Sequence, residues 1–301
     1  MLQLKNSKIA VPVVLFAGLI WSFGPLVVRY MNDPNLIPWQ SMFGRGLTIG
    51  MLLNLYLYDE EGKNFYKNYF KIGLSGLIGG SGLGIAMIWF MFSITNTSAA
   101  ITLLCLAAMP FFTALLAFLF LKEKISLNVW VSIIIASIGI GIMAVGTNTD
   151  TSFIGFVFGI TSSVGFSVFS VTLRWRKETP KFTTTAFAGF FCFTFATIVI
   201  LSNDYVFFST SYNSSLFSLH GTLVCLGLIL YSIGSKVIPA AELTLLSLTE
   251  VIGGIFWVWL PLFGINEVPD TNTIIGGFFL FISLTYYSLV MRWNKRYIGL
   301  N

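Results

Sequence analysis

The sequence predicts an all-α integral membrane protein whose ten transmembrane helices form two inverted five-helix repeats. Three observations carry this. Of 301 residues, 56% are hydrophobic and 10% charged, whereas about a quarter of the residues in soluble domains are charged, so the chain cannot cover a water-facing surface of this length. Its apolar residues fall into runs of about 20, the length that crosses a hydrocarbon core. The cations lie between these runs, on alternate connections.

Taken in order, the runs place spans at Ile9 to Val28, Ile37 to Leu57, Ile72 to Ile94, Ser98 to Leu121 and Leu127 to Val145, then at Phe153 to Leu173, Phe182 to Leu201, Leu216 to Gly234, Ile238 to Leu262 and Thr273 to Met291. The first follows Lys5 and Lys8, as a secretory signal would, but its length and lack of a small-residue cleavage site indicate a retained span. The longest connections, Tyr58 to Lys71 and Ser202 to Ser215, have 14 residues each. Whatever the protein does is therefore done by its helices.

Lys and Arg in short loops stay on the cytoplasmic side. With both termini cytoplasmic, 15 of the 17 cations fall on that face. The other face holds Arg29 together with Asp33, Asp150, Asp204, Glu267 and Asp270, while Arg45 lies inside a span. One missed span would move every later loop to the wrong side. The expected location is the inner, cytoplasmic membrane.

The net charge of +5 does not cluster on one exposed face, so no nucleic-acid partner is expected. Cys105, Cys192 and Cys225 lie in apolar stretches without ligand-type neighbours and read as inert thiols. There is no GxxxxGK[ST], no HExxH, no metal-ligand cluster and no intramembrane lysine for a Schiff base. No cofactor, metal or catalytic residue is expected. The expected partners are a small-molecule substrate and the lipid bilayer, and a homodimer is compatible with the pattern.

Small residues recur every fourth position at Gly76, Gly80 and Gly84 and at Gly155, Gly159, Ser163 and Ser167, giving smooth stripes for close helix approach. The segment from Ser98 to Pro110 aligns with Pro239 to Val251 at an offset of 141. Glu123 follows the first copy and Glu267 the second, after a three-residue insertion. Five spans separate the copies, so the halves, 1–148 and 149–301, are inverted, as in many secondary transporters whose substrate binds between the halves.

At these residues the chain resembles the EamA family of the drug/metabolite transporter superfamily. The resemblance rests on Leu19-Ile-Trp-Ser-Phe-Gly24, on Phe43-Gly-Arg45, on Thr97-Ser-Ala-Ala through Pro110 to Phe120-Leu-Lys-Glu123, and on Pro239-Ala-Ala-Glu-Leu to Leu248-Thr-Glu250. Val251 stands where many members have proline, so the ninth span has none there to bend it. The resemblance implies a carrier of amino acids or related metabolites, with export the commoner direction.

Charge inside a span is costly and marks a pathway or a paired site. By helical rise, Arg45 lies about 12 Å below the outer boundary and Glu250 about 12 Å below it from the opposite helix direction. Both are expected at one cavity, as an ion pair or as exchanging partners, with Glu250 also carrying a proton. Ser247, Glu250, Gly254 and Trp257 follow at i, i+3, i+7 and i+10 and read as a cavity wall. Trp21 and Ser22 lie at a similar level and are candidate substrate contacts. Pro110 removes a donor in mid-helix and reads as a hinge; His220, near the outer end of its span, reads as a gating group.

The function expected is a secondary transporter of a small polar metabolite working by alternating access. An integral-membrane enzyme acting on a lipid-linked substrate and a passive channel are the alternatives.

Overall fold

A computed structural model describes residues 7–32, 38–145, 153–176, 178–208, 210–269 and 271–297. Lys5, Asp33, Ile37, Asp150, Lys177 and Asp270 lie outside these, as does the expected boundary between the halves at 148/149.

The described residues form α-helices joined by short turns, with no β-strand among them. The helices are α1 (Ser7–Trp21), α2 (Phe23–Arg29), α3 (Pro38–Glu61), α4 (Gly73–Asn96), α5 (Ala99–Leu106), α6 (Met109–Leu116), α7 (Leu127–Val145), α8 (Phe153–Trp175), α9 (Lys181–Ser202), α10 (Ser211–Gly234), α11 (Ala240–Ser247), α12 (Thr249–Trp259) and α13 (Thr271–Tyr297). A 3₁₀ segment, Gly62–Lys71, links α3 to α4. It carries exposed Tyr66 and Phe70 beside its lysines, a composition suited to a membrane–water boundary.

Among the described residues, seven helical stretches are long and apolar enough to cross a membrane: Ile9–Arg29, Gly73–Asn96, Ala99–Leu121, Phe153–Trp175, Lys181–Ser202, Ser211–Gly234 and Ala240–Trp259. Leu127–Ile142 and Ile274–Tyr287 are shorter apolar helices. α3 has 24 residues, but Gln40, Arg45, Asn54 and its terminal acids lower its hydropathy.

Three expected spans are interrupted. The first breaks at Ser22, three residues before Pro25. The fourth breaks at Ala107 and Ala108, whose amides turn to carbonyls three residues back, Leu104 and Cys105, at 3.1 Å each; Pro110, without an N–H, leaves the Leu106 carbonyl free of its helical partner. The ninth breaks at Leu248, whose amide bonds Leu245 O at 3.2 Å. The ninth helix is thus interrupted although Val251 stands where many family members have proline. Gly18 of α1 abuts this break, and Thr249 Oγ1 lies 3.2 Å from both Leu15 O of α1 and Leu246 O of α11, so its hydroxyl can serve a carbonyl at the break or tie the break to α1.

Packing follows the small residues. α4 lies along α8 and α9, α3 along α9 and α10, and α7 along α13. A Cβ on Gly165 would lie 2.7 Å from Gly82 O, and one on Gly46 2.8 Å from Gly189 O, so these helices meet backbone to backbone. Gly76, Gly80 and Gly84 turn to α9, and Gly155 and Gly159 to the α4–α5 segment. Ser163 Oγ donates to Cys105 O at 2.5 Å and Ser167 Oγ to Met109 O at 3.1 Å. The serines of the α8 stripe therefore supply donors to carbonyls on either side of the α5–α6 break.

Candidate functional site

Arg45, the eighth residue of α3, lies between glycines that bring the neighbouring helices in: Gly44 abuts Phe217 of α10, and Gly46 the α9 backbone. Hemmed in there, the side chain is 1% exposed. Its Nη2 donates to Met87 O at 2.6 Å and lies 3.6 Å from Met42 Sδ, while Nε has no hydrogen-bond partner. Among the described residues no carboxylate lies within ion-pair distance of it. The expected direct pair with Glu250 is not made in this conformation.

His220 of α10 is 1% exposed and its Nδ1 has no hydrogen-bond partner. Its Nε2 faces Gly24, where a Cβ would lie 3.2 Å away. A place at the solvated outer end of the span was expected; instead α10 begins at Ser211, which carries residue 220 well inside the bundle. No sequence signal sets that depth, because the run before His220 is polar.

Glu250 is the second residue of α12, just past the break at Leu248. A carboxylate in a first turn is favoured by the free amides and positive dipole end there. The break thus creates a helix start inside the bundle and sets an acid on it. Trp21 closes the same region from α1. Its Nε1 donates to Val224 O at 3.2 Å, and the ring meets Phe166 edge-on at 5.6 Å and Tyr231 at 5.5 Å. The indole fits because Gly227 leaves room beneath it.

Arg45, Glu250, His220 and Trp21 line one cavity. Apolar side chains, chiefly Leu83, Met87, Phe90, Met109, Phe166 and Leu228, complete its wall. It offers one cation, one carboxylic acid and one imidazole in otherwise apolar surroundings. Such a site holds a small molecule by a few placed polar contacts and an apolar remainder.

Other candidates sit behind this wall. Ser22 is fully buried; its Oγ donates to Leu19 O at 2.6 Å and accepts from Trp257 Nε1 at 2.8 Å. Trp257 also stacks on Phe23 with centroids 4.6 Å apart. Ser247 Oγ donates to Thr244 O at 2.8 Å, and its carbonyl faces Gly18. Helical spacing put Ser247 and Trp257 on the Glu250 face, but the break at Leu248 falls between Ser247 and Glu250. Pro110 is buried just after the α5–α6 break.

Sequence reasoning missed the apolar lining and the Met87 carbonyl. A cavity-facing Leu or Phe has the same chemistry as a lipid-facing one, so only Gly24 and Gly227, as marks of close approach, hinted at the location. A second cavity opens near the α8–α9 turn, bordered by Glu61, Arg174, Glu178, Lys181 and Lys236. Among the described residues no three His, Cys, Asp or Glu side chains converge as metal ligands.

Long apolar helices packed through glycine contacts around a largely apolar cavity with a few charged groups define a polytopic membrane protein. Residues 8–145, just under half of the chain, match the model of the EamA-like transporter family. Two proteins called uncharacterized transporters, from Helicobacter pylori strains J99 and 26695, are each 26% identical over 171 residues. The match covers 56% of this chain and 56% of each relative, so the chain spans just over half the length of these relatives. A solved crystal structure aligns with 95% of this chain and 99% of its own at a TM-score of 0.72 and 15% identity, a likeness of fold alone.

Proposed function

We propose that the protein is a secondary carrier that moves a small zwitterionic metabolite, an amino acid or a close relative, outward across the cytoplasmic membrane by alternating access. The observation that carries this reading is the cavity shared by Arg45 and Glu250. The guanidinium takes the substrate carboxylate, Glu250 takes its ammonium group or a proton in exchange, and Trp21 covers its apolar part. His220, on the same wall, acts as a gating group, and Pro110 as a hinge. Ser22, Ser247 and Trp257 act from behind the wall by holding α1 against α11 and α12.

Ten spans in two inverted halves, with both termini cytoplasmic, are part of the same reading. Packing supports it. Counting α1–α2, α5–α6 and α11–α12 as single rods gives ten, and adding five to each rod turns one packed pair into another. The pairing of α4 with α8 becomes that of α10 with α1; α3 with α10 becomes α9 with α4; and α3 with α9 and α7 with α13 map onto themselves. The α5–α6 and α11–α12 breaks are 141 residues apart, and so are Gly18 and Gly159, and Ser22 and Ser163. Broken helices in matching positions of two repeats are where carriers place their sites.

The test begins with a thermal-shift screen of amino acids on the purified chain, because a ligand that binds only the folded state raises its stability. A hit is then taken into vesicles. Uptake accelerated by unlabelled compound on the far side is the result expected of a carrier. Flux without such acceleration would indicate a channel, and chemical conversion of the compound an enzyme. A screen in which no zwitterion shifts the transition would remove the proposed cargo.

A further inference from the structure

Two ion pairs stand out at opposite ends of the bundle. Arg29, the last residue of α2, meets Glu267 with Nε to Oε1 at 2.5 Å. Arg174, next to the last residue of α8, meets Glu123 with Nε to Oε1 at 2.8 Å. Both remaining nitrogens of Arg29, and Nη1 of Arg174, donate to backbone. Arg29 Nη1 donates to Ile94 O at 3.0 Å and Nη2 to Thr97 O at 3.1 Å. Arg174 Nη1 donates to Ser235 O at 3.3 Å and to Ile238 O at 3.0 Å.

The two pairs of accepting carbonyls correspond residue for residue. Ile94 and Ser235 are 141 apart, as are Thr97 and Ile238, the same interval that relates the two helix breaks. Glu123 and Glu267 are 144 apart. Each acid follows a residue held at positive φ, Lys122 at 53° and Asn266 at 55°, where a side chain other than glycine is strained. That turn aims the carboxylate back at the arginine. All four side chains are half-buried, 18 to 32% exposed, which screens such pairs less than full exposure would.

Each arginine holds the connection before the broken helix of its own half, between α4 and α5 or between α10 and α11. Each reaches the acid that follows the broken helix of the other half. We infer that the Arg29–Glu267 and Arg174–Glu123 pairs are two equivalent latches, one at each end, that hold the halves closed over the central cavity and open in alternation. Both are made in this structure. The inference rests on the alternating-access reading above and adds the groups that gate each side. The two ends differ in one respect. The Arg174 latch borders the second cavity with Lys181 and Lys236, whereas among the described residues no other cation lies at the Arg29 end.

The test needs no known substrate. A reporter thiol is placed in the cavity wall by Val224→Cys, in membranes whose two faces are presented separately as spheroplasts and inverted vesicles. The probe is a membrane-impermeant maleimide. Adding Glu267→Gln should speed labelling from the Arg29 face about fivefold or more and leave the other face unchanged; adding Glu123→Gln should do the reverse. Equal acceleration from both faces, or none with either variant, would overturn the latches. The parent without Val224→Cys controls for unfolding, because Cys192 is fully buried and labels only if the bundle opens. If a Gln variant exposes Cys192, the same comparison is made with Glu267→Asp or Glu123→Asp, which keep the charge but withdraw it from the arginine. Vesicle counterflow separates this idea from the carrier reading. Sided labelling without counterflow would remove the carrier and keep the latches, while counterflow with unsided labelling would remove the latches alone.

Discussion

The guanidinium of Arg45 donates to the main-chain carbonyl of Met87 at 2.6 Å, on the wall of a cavity that Glu250 also lines. A helix carbonyl already serves its own ladder, so it is a weaker partner for a cation than a carboxylate would be. Under the proposed function, a substrate carboxylate would meet there a cation that is placed and under-satisfied, with Nε free of a hydrogen bond.

Arg45→Ala removes that group. It should abolish the thermal shift produced by any ligand that carries a carboxylate. The unliganded protein should lose stability by about 1.5–3 kcal/mol, the range for a hydrogen bond to a charged group. Melting curves with and without ligand check both. A ligand shift that survives would place binding outside the cavity.

Glu250→Gln keeps the shape of the side chain and removes its ability to exchange a proton. If this acid couples transport to protons, the variant should still exchange substrate across the vesicle membrane yet fail to accumulate it under an imposed pH gradient. Accumulation that still follows the gradient would show that the proton travels elsewhere.

Gly165→Ala tests the close approach of α4 and α8. The added methyl would lie 2.7 Å from Gly82 O and 3.1 Å from Ala86 N, both backbone atoms that cannot swing away. The helices must part, at a cost of about 1–3 kcal/mol. Thermal unfolding in detergent should show the loss. Gly141→Ala, where a Cβ meets nothing within 4 Å, should change stability little.

Pro110→Ala separates cause from accompaniment at the helix breaks. The α11–α12 break forms at Leu248 with valine at the position equivalent to Pro110, 141 residues on. The α5–α6 break should likewise survive without its proline, since Ser163 and Ser167 still serve the carbonyls around it. Ser163→Ala should cost more stability than Pro110→Ala, by about 1 kcal/mol for the lost hydrogen bond. Melting temperatures of the two variants provide the comparison, and the reverse order would return the break to proline.

The sequence by itself determined that this chain lives in a membrane and is helical. Scarce charge, apolar runs of bilayer length and cations on alternate loops follow from the cost of placing ions and unpaired backbone in lipid, a cost paid residue by residue and so written locally. It also marked Arg45 and Glu250, because a charge within a span has few innocent explanations, and it gave the 141-residue interval. Only the tertiary structure decided which groups share the cavity. Ser247 and Glu250 are one helical turn apart in sequence, yet the break at Leu248 sends one into packing against α1 and the other into the cavity. His220 read as interfacial and is buried beside Gly24. The apolar wall was illegible, since Phe90 or Leu228 facing a cavity and Phe118 facing lipid obey the same preference. The latches were hidden for another reason: Arg29 and Glu267 are joined across the whole chain, and a pairing between distant residues is fixed by how helices cross, which no single stretch of sequence contains.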